Sequence, residues 1–128
     1  MSHLARRRVL IPGLGLAVAA AVAVPAIAGV TEHETQLFLA NSAPAFHGIV
    51  HSDVAFCENH RRVRMFRQRP GDDRLLGTDR SDNEGRWEVD HPSLRSGAYY
   101  ARVARKEQIV SGDGLLCKAD KSRVIVVD

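Results

Sequence analysis

The chain has 128 residues, two cysteines, and 18 Lys and Arg against 15 Asp and Glu. The whole cationic excess lies in Arg6, Arg7 and Arg8, so beyond residue 28 the two signs balance at 15 each. That balance gives no support to a nucleic-acid partner, and none is expected.

The first element is a targeting segment. Met1 to Arg8 is basic and free of acids, Val9 to Val24 is almost wholly apolar, and Pro25 leads into Ala26-Ile27-Ala28, the small-x-small pattern read by signal peptidase. The reading is a signal peptide over residues 1–28, with Gly29 as the first mature residue. The alternative is an uncleaved anchor. Pro12, Gly13 and Gly15 interrupt an apolar stretch already near the lower length limit for spanning, so no stable span is expected after cleavage. Arg6-Arg7 loosely suggests twin-arginine export, while the long apolar core suits the general secretory route. The protein is expected outside the cell, or associated with its envelope.

Residues 29–128 are enough for one small domain. Residues 29–44 read as an N-terminal leader, polar and flexible over Gly29 to Thr35, with a possible edge strand at Gln36 to Ala40. Residues 45–128 read as the folded domain. In "AFHGIVHS", Phe46, Gly48 and Val50 share one face and His47, Ile49 and His51 the other. "RRVRMFR" sends Val63 and Met65 inward. The basic cluster Arg61, Arg62, Arg64, Arg67 and Arg69 reads as a solvated strand face, an anionic polymer being the other reading. "LLGTDR" is a short strand, and "SDNEG" a turn in which Gly85 is free to take a positive φ. "RWEV" points Trp87 and Val89 inward. "AYYARVA" points Tyr99, Ala101 and Val103 inward and leaves Tyr100 to solvent, and "RVIVV" closes the chain. About seven short strands separated by turns predict an all-β, antiparallel sandwich of the immunoglobulin or prealbumin type and exclude a helical bundle. Trp87 and Tyr99 are then core aromatics, and the Tyr99 hydroxyl has the place to tie down a neighbouring loop.

Cys57 and Cys117 are an even count in an exported chain, which predicts a disulfide; the alternatives are buried thiols and a zinc site, for which no CxxC or HExxH spacing exists. His47 and His51 share a face but stand about 13 Å apart at about 3.3 Å per residue, too far for one zinc on a straight strand. His60, Asp53 or Glu58 could join either one. Asp79, Asp82 and Glu84 lack the density of oxygen ligands that a calcium loop needs. No metal and no cofactor are expected. The histidines at 33, 47, 51, 60 and 91 and the serines at 52, 96 and 111 form no motif that assigns nucleophile, base and oxyanion donor, so the chain is not read as an enzyme.

The stretches "FHGIVHS", "CENHRRVRMFR", "GTDRSDNEGRWEV", "SGAYYARV" and the closing "RVIVV" together resemble the transthyretin-like and carboxypeptidase-regulatory-like secreted sandwich domains, over about Ala45 to Val127. The turn in "GTDRSDNEG" is longer than that group's compact form, and Met65 stands where leucine or valine is usual. The resemblance implies a non-catalytic binding or structural module in adhesion or carbohydrate association, its partner an extracellular protein or polysaccharide. The alternative function is a carrier or inhibitor of a small molecule or protease, using the loops Val54 to Arg61 and Asp90 to Gly97.

Overall fold

The computed structural model describes residues 29–128 except Ser111; the signal-peptide segment 1–28 lies outside the described residues. The strands are β1 (Val30–His33), β2 (Gln36–Ser42), β3 (Ala45–His51), β4 (Arg62–Arg67), β5 (Arg74–Arg80), β6 (Arg86–Asp90), β7 (Gly97–Val103), β8 (Lys106–Val110), β9 (Asp113–Cys117), β10 (Asp120–Lys121) and β11 (Ile125–Val127). They make three sheets. One runs β2-β3-β6, a second β10-β7-β4-β5 with β11 also on β7, and a third β1-β9-β8.

The first two sheets share one core, and the period-two alternation of the sequence explains why. Leu37, Leu39, Phe46, Val50, Trp87 and Val89 come from one sheet, and Val63, Met65, Tyr99, Ala101 and Val103 from the other. Alternate residues along each strand face this layer, and burying them supplies the apolar area that a chain of this size needs to offset its entropy. The architecture is all-β and sandwich-like. Gly48 is opposite Trp87 on β6. A Cβ on Gly48 would collide with the Phe38 carbonyl oxygen and come within 2.8 Å of the indole, so only glycine leaves room for the ring beside β3. Gly85, at φ +81°, turns the chain into β6 and accepts the Val50 amide at 2.8 Å.

The third sheet departs from the sequence reading. Val30–His33 is not a loose leader: it runs parallel to β9, from Val30 opposite Gly114 to His33 opposite Cys117. β8 pairs antiparallel with β9. The fold therefore has more strands than the seven expected and is not wholly antiparallel. The sulfurs of Cys57 and Cys117 lie at bonding distance, 1.94 Å, and join the short helical turn Ala55–Cys57 to the end of β9.

Candidate functional site

Sequence offers Val54 to Arg61 as a binding loop, but its backbone is already engaged. The Phe56 carbonyl accepts Lys106 Nζ at 2.8 Å, and Cys57 accepts Arg61 Nη1 at 2.7 Å. Glu58 accepts the Ser81 hydroxyl at 2.6 Å, and Asn59 accepts Lys106 Nζ at 2.9 Å. Four successive carbonyls are thus satisfied by side chains, which fixes the loop as a strut beside the disulfide.

Arg61 corrects the expectation of a solvated arginine strip. It is 1% exposed. Nη1 also donates to Thr35 Oγ1 at 3.1 Å, and Nη2 donates to the Ala104 and Lys118 carbonyls at 2.8 and 3.0 Å. Burial pushes its guanidinium below its ordinary pKa. Its partners come from the disulfide turn, the link between β1 and β2, and the ends of β7 and β9, so it ties the third sheet to the other two. Lys106 is also shifted downward, by burial first and then by the charge of Arg61.

The loop Asp90 to Gly97 is at the opposite end of the strands, since Asp90 pairs with Ala45 at the start of β3 while Val54 comes after the end of that strand. The two loops cannot form one site. Here the expected aromatic tie is present: the Tyr99 hydroxyl donates to the Arg95 carbonyl. Tyr99 and Trp87 are both buried in the core as expected. A cavity of about 250 Å³ opens beside this loop, lined by Arg67, Arg74, Leu76, Leu94, Arg95 and Tyr99 among others.

Tyr100 is the second correction, being 3% exposed. It is on the outer face of the second sheet, as its phase requires, but neighbouring side chains cover it there. Phe66 stacks on it with ring centroids 5.4 Å apart, Lys121 Nζ is 4.3 Å from its centroid, and the Arg102 guanidinium carbon is 5.7 Å away. Its hydroxyl donates to Asp73. That bond is the main cause of two opposite shifts: the Asp73 carboxyl lies below its ordinary range and the Tyr100 phenol above.

Beside this aromatic pair the register lines up cations. Lys121 of β10 is opposite Arg102 of β7, Arg102 is opposite Arg64 of β4, and Arg64 is opposite Thr78 of β5. Arg62 and Arg80 face each other on the next outward row. Among the described residues, none of these five cations has a carboxylate oxygen within 4.0 Å. The nearby acids hold other hydrogen bonds, Asp73 from Tyr100 and Asp120, whose Oδ2 accepts the Leu37 amide at 2.8 Å, while the charge of Asp73 also acts on Lys121 and Arg102. A groove of about 480 Å³ runs here, lined by Arg64, Phe66, Arg102, Ala119, Asp120 and Lys121 among others. The arginine cluster thus splits: Arg61 is structural, Arg67 turns toward the end cavity and donates to the Ser96 carbonyl at 2.8 Å, and Arg62 and Arg64 join cations from three other strands. Spacing along the sequence shows only the β4 members; sheet register brings in the rest.

The remaining candidates are ordinary surface groups. His47 and His51 are both exposed on the outer face of β3, and His51 Nδ1 lies 3.4 Å from Glu58. Asp53 pairs instead with His33, at 2.8 Å. Asp82 caps its turn by accepting the Glu84 and Arg86 amides at 2.8 and 2.9 Å, and Asp79 accepts the Glu88 amide at 2.8 Å. Those oxygens serve the backbone. Among the described residues no group of three potential metal ligands comes together, and no helix is long and apolar enough to cross a membrane. The sequence matches no protein-family model and no curated protein.

Proposed function

We propose that this chain is an exported, non-catalytic binding module of the transthyretin-like or carboxypeptidase-regulatory-like kind, acting at the cell envelope or outside the cell. The observation that carries the reading is the grooved outer face of the second sheet, whose five cations, on strands β4, β5, β7 and β10, lack carboxylate partners among the described residues. A sheet face of this kind presents a rigid, extended surface, suited to adhesion to a protein or polysaccharide. The disulfide between Cys57 and Cys117 supports an oxidising compartment. Fractionation of producing cells into medium, washed envelope and cytoplasm, with N-terminal mass spectrometry, tests the proposal. Retention on the envelope of a chain starting at Gly29 is expected; a reduced, cytoplasmic full-length chain would refute it.

A second reading, a carrier of a small acidic molecule, has one specific observation in its favour. Arg67, Arg74 and Arg95 surround the end cavity together with the apolar Leu76 and Leu94. A discrete soluble ligand displaced by Arg74→Gln would favour it.

A further inference from the structure

Directly opposed like charges destabilise a β-sheet, and proteins ordinarily alternate the signs across a ladder. Here the ladder places Lys121, Arg102 and Arg64 side by side on three adjacent strands, and Arg62 against Arg80 on the neighbouring row. Adjacent strands are about 4.8 Å apart, so the three head groups issue from a line about 10 Å long that crosses the strands. Arg64 Nε is buried without a hydrogen-bond partner, as are Arg61 Nε and Arg67 Nε; the one carboxylate whose charge reaches the row is Asp73, which acts on Lys121 and Arg102 without pairing with either.

Resting on the binding-module reading above, we propose that this row binds a carboxylated polysaccharide laid across β10, β7 and β4, each guanidinium or ammonium meeting a successive acidic group. The neighbouring rings argue against single-stranded nucleic acid. Tyr100 is already stacked on Phe66 and capped by Lys121, so it has no open face on which a base could lie. The balanced charge beyond residue 28 argues against a polyanion held by net charge alone. What the row offers is a short line of cations set side by side by the sheet register, two of them with planar guanidinium forks that match carboxylates.

The test is calorimetric titration of the protein recovered from producing cells with sodium alginate, neutral dextran, duplex DNA and vesicles containing anionic phospholipid. Alginate is expected to bind, weakening steeply with salt, and the other three are expected to bind far more weakly. The double variant Arg64→Gln/Arg102→Gln should weaken alginate binding by about a hundredfold, roughly tenfold per charge-assisted contact. Its melting temperature should change by no more than a few degrees, because relief of the opposed like charges offsets the loss of the Arg102 contact with the Tyr100 ring, whereas a loss of binding that came from unfolding would bring a large fall. The charge-matched control Arg69→Gln/Arg105→Gln should stay within about threefold of the parent on the same scale. An equal loss in the control, or DNA or vesicle binding as tight as alginate binding, would overturn the proposal. Envelope retention without alginate binding would overturn this inference and leave the binding module standing; loss of both would remove the module reading too.

Discussion

Replacing Arg61 by methionine tests how the fold is held together. The substitution keeps an apolar stem but removes four hydrogen bonds, to the Cys57, Ala104 and Lys118 carbonyls and to Thr35 Oγ1. At about 1.5–3 kcal/mol for a bond from a charged donor, the gross loss is roughly 6–12 kcal/mol. Against it stands relief from desolvating a guanidinium that is 1% exposed, worth several kcal/mol. The expected net loss is about 3–5 kcal/mol, a fall in melting temperature on the order of 20 °C for a domain of this size. Urea unfolding followed by the fluorescence of the single tryptophan, Trp87, reads it directly. Arg61→Lys should recover less than half, because one ammonium cannot span acceptors on four separate segments. A methionine variant within about 1 kcal/mol of the parent would refute the reasoning, showing that the bonds only offset their own desolvation.

The same geometry sets other outcomes. Cys57→Ser/Cys117→Ser opens a loop with a sequence separation of 60 and should cost about 4 kcal/mol in the chain-entropy picture, measured by the same unfolding curve; an unchanged midpoint would contradict the pairing. Gly48→Ala forces a methyl against the Phe38 carbonyl and the Trp87 indole, and should cost about 2–3 kcal/mol or prevent folding; full stability would mean the strand can shift there. Asp73 and Tyr100 set opposite pH limits. The stability Asp73 contributes is present above its ordinary pKa and is lost as pH falls through the lowered folded value. That of Tyr100 is present below its ordinary pKa and is lost as pH rises through the raised one. Asp73→Asn should therefore shrink both limbs and lower the Tyr100 ionisation midpoint in an ultraviolet titration; an unmoved midpoint would show that the two groups are uncoupled.

The alternation of apolar residues makes the core faces legible: Phe46 and Val50, Val63 and Met65, Trp87 and Val89, and Tyr99 with Ala101 and Val103 all point inward as their phase requires. Tyr100 shows the limit of that logic. Its phase places it on the outer face, but phase says nothing of what covers a face, and Phe66, Lys121 and Asp73 arrive from three other segments. β1 is hidden for a related reason: "VTEH" has no apolar alternation, and its strand character comes from a parallel partner more than eighty residues away. Arg61 sits one residue before β4, where sequence does not distinguish a buried strut from the exposed Arg62 beside it. The five cations of the outer face lie in the same blind spot, since three of them come from strands other than β4 and meet the others only through register.

The most direct test of the binding face is amide chemical-shift mapping of the isotopically labelled protein during titration with acidic polysaccharide fragments. Shifts concentrated on Arg62 and Arg64 of β4, Arg80 of β5, Arg102 of β7 and Lys121 of β10 are predicted. Shifts confined to the cavity around Arg67, Arg74 and Arg95, with the row silent, would contradict the account and move the function to the end loop.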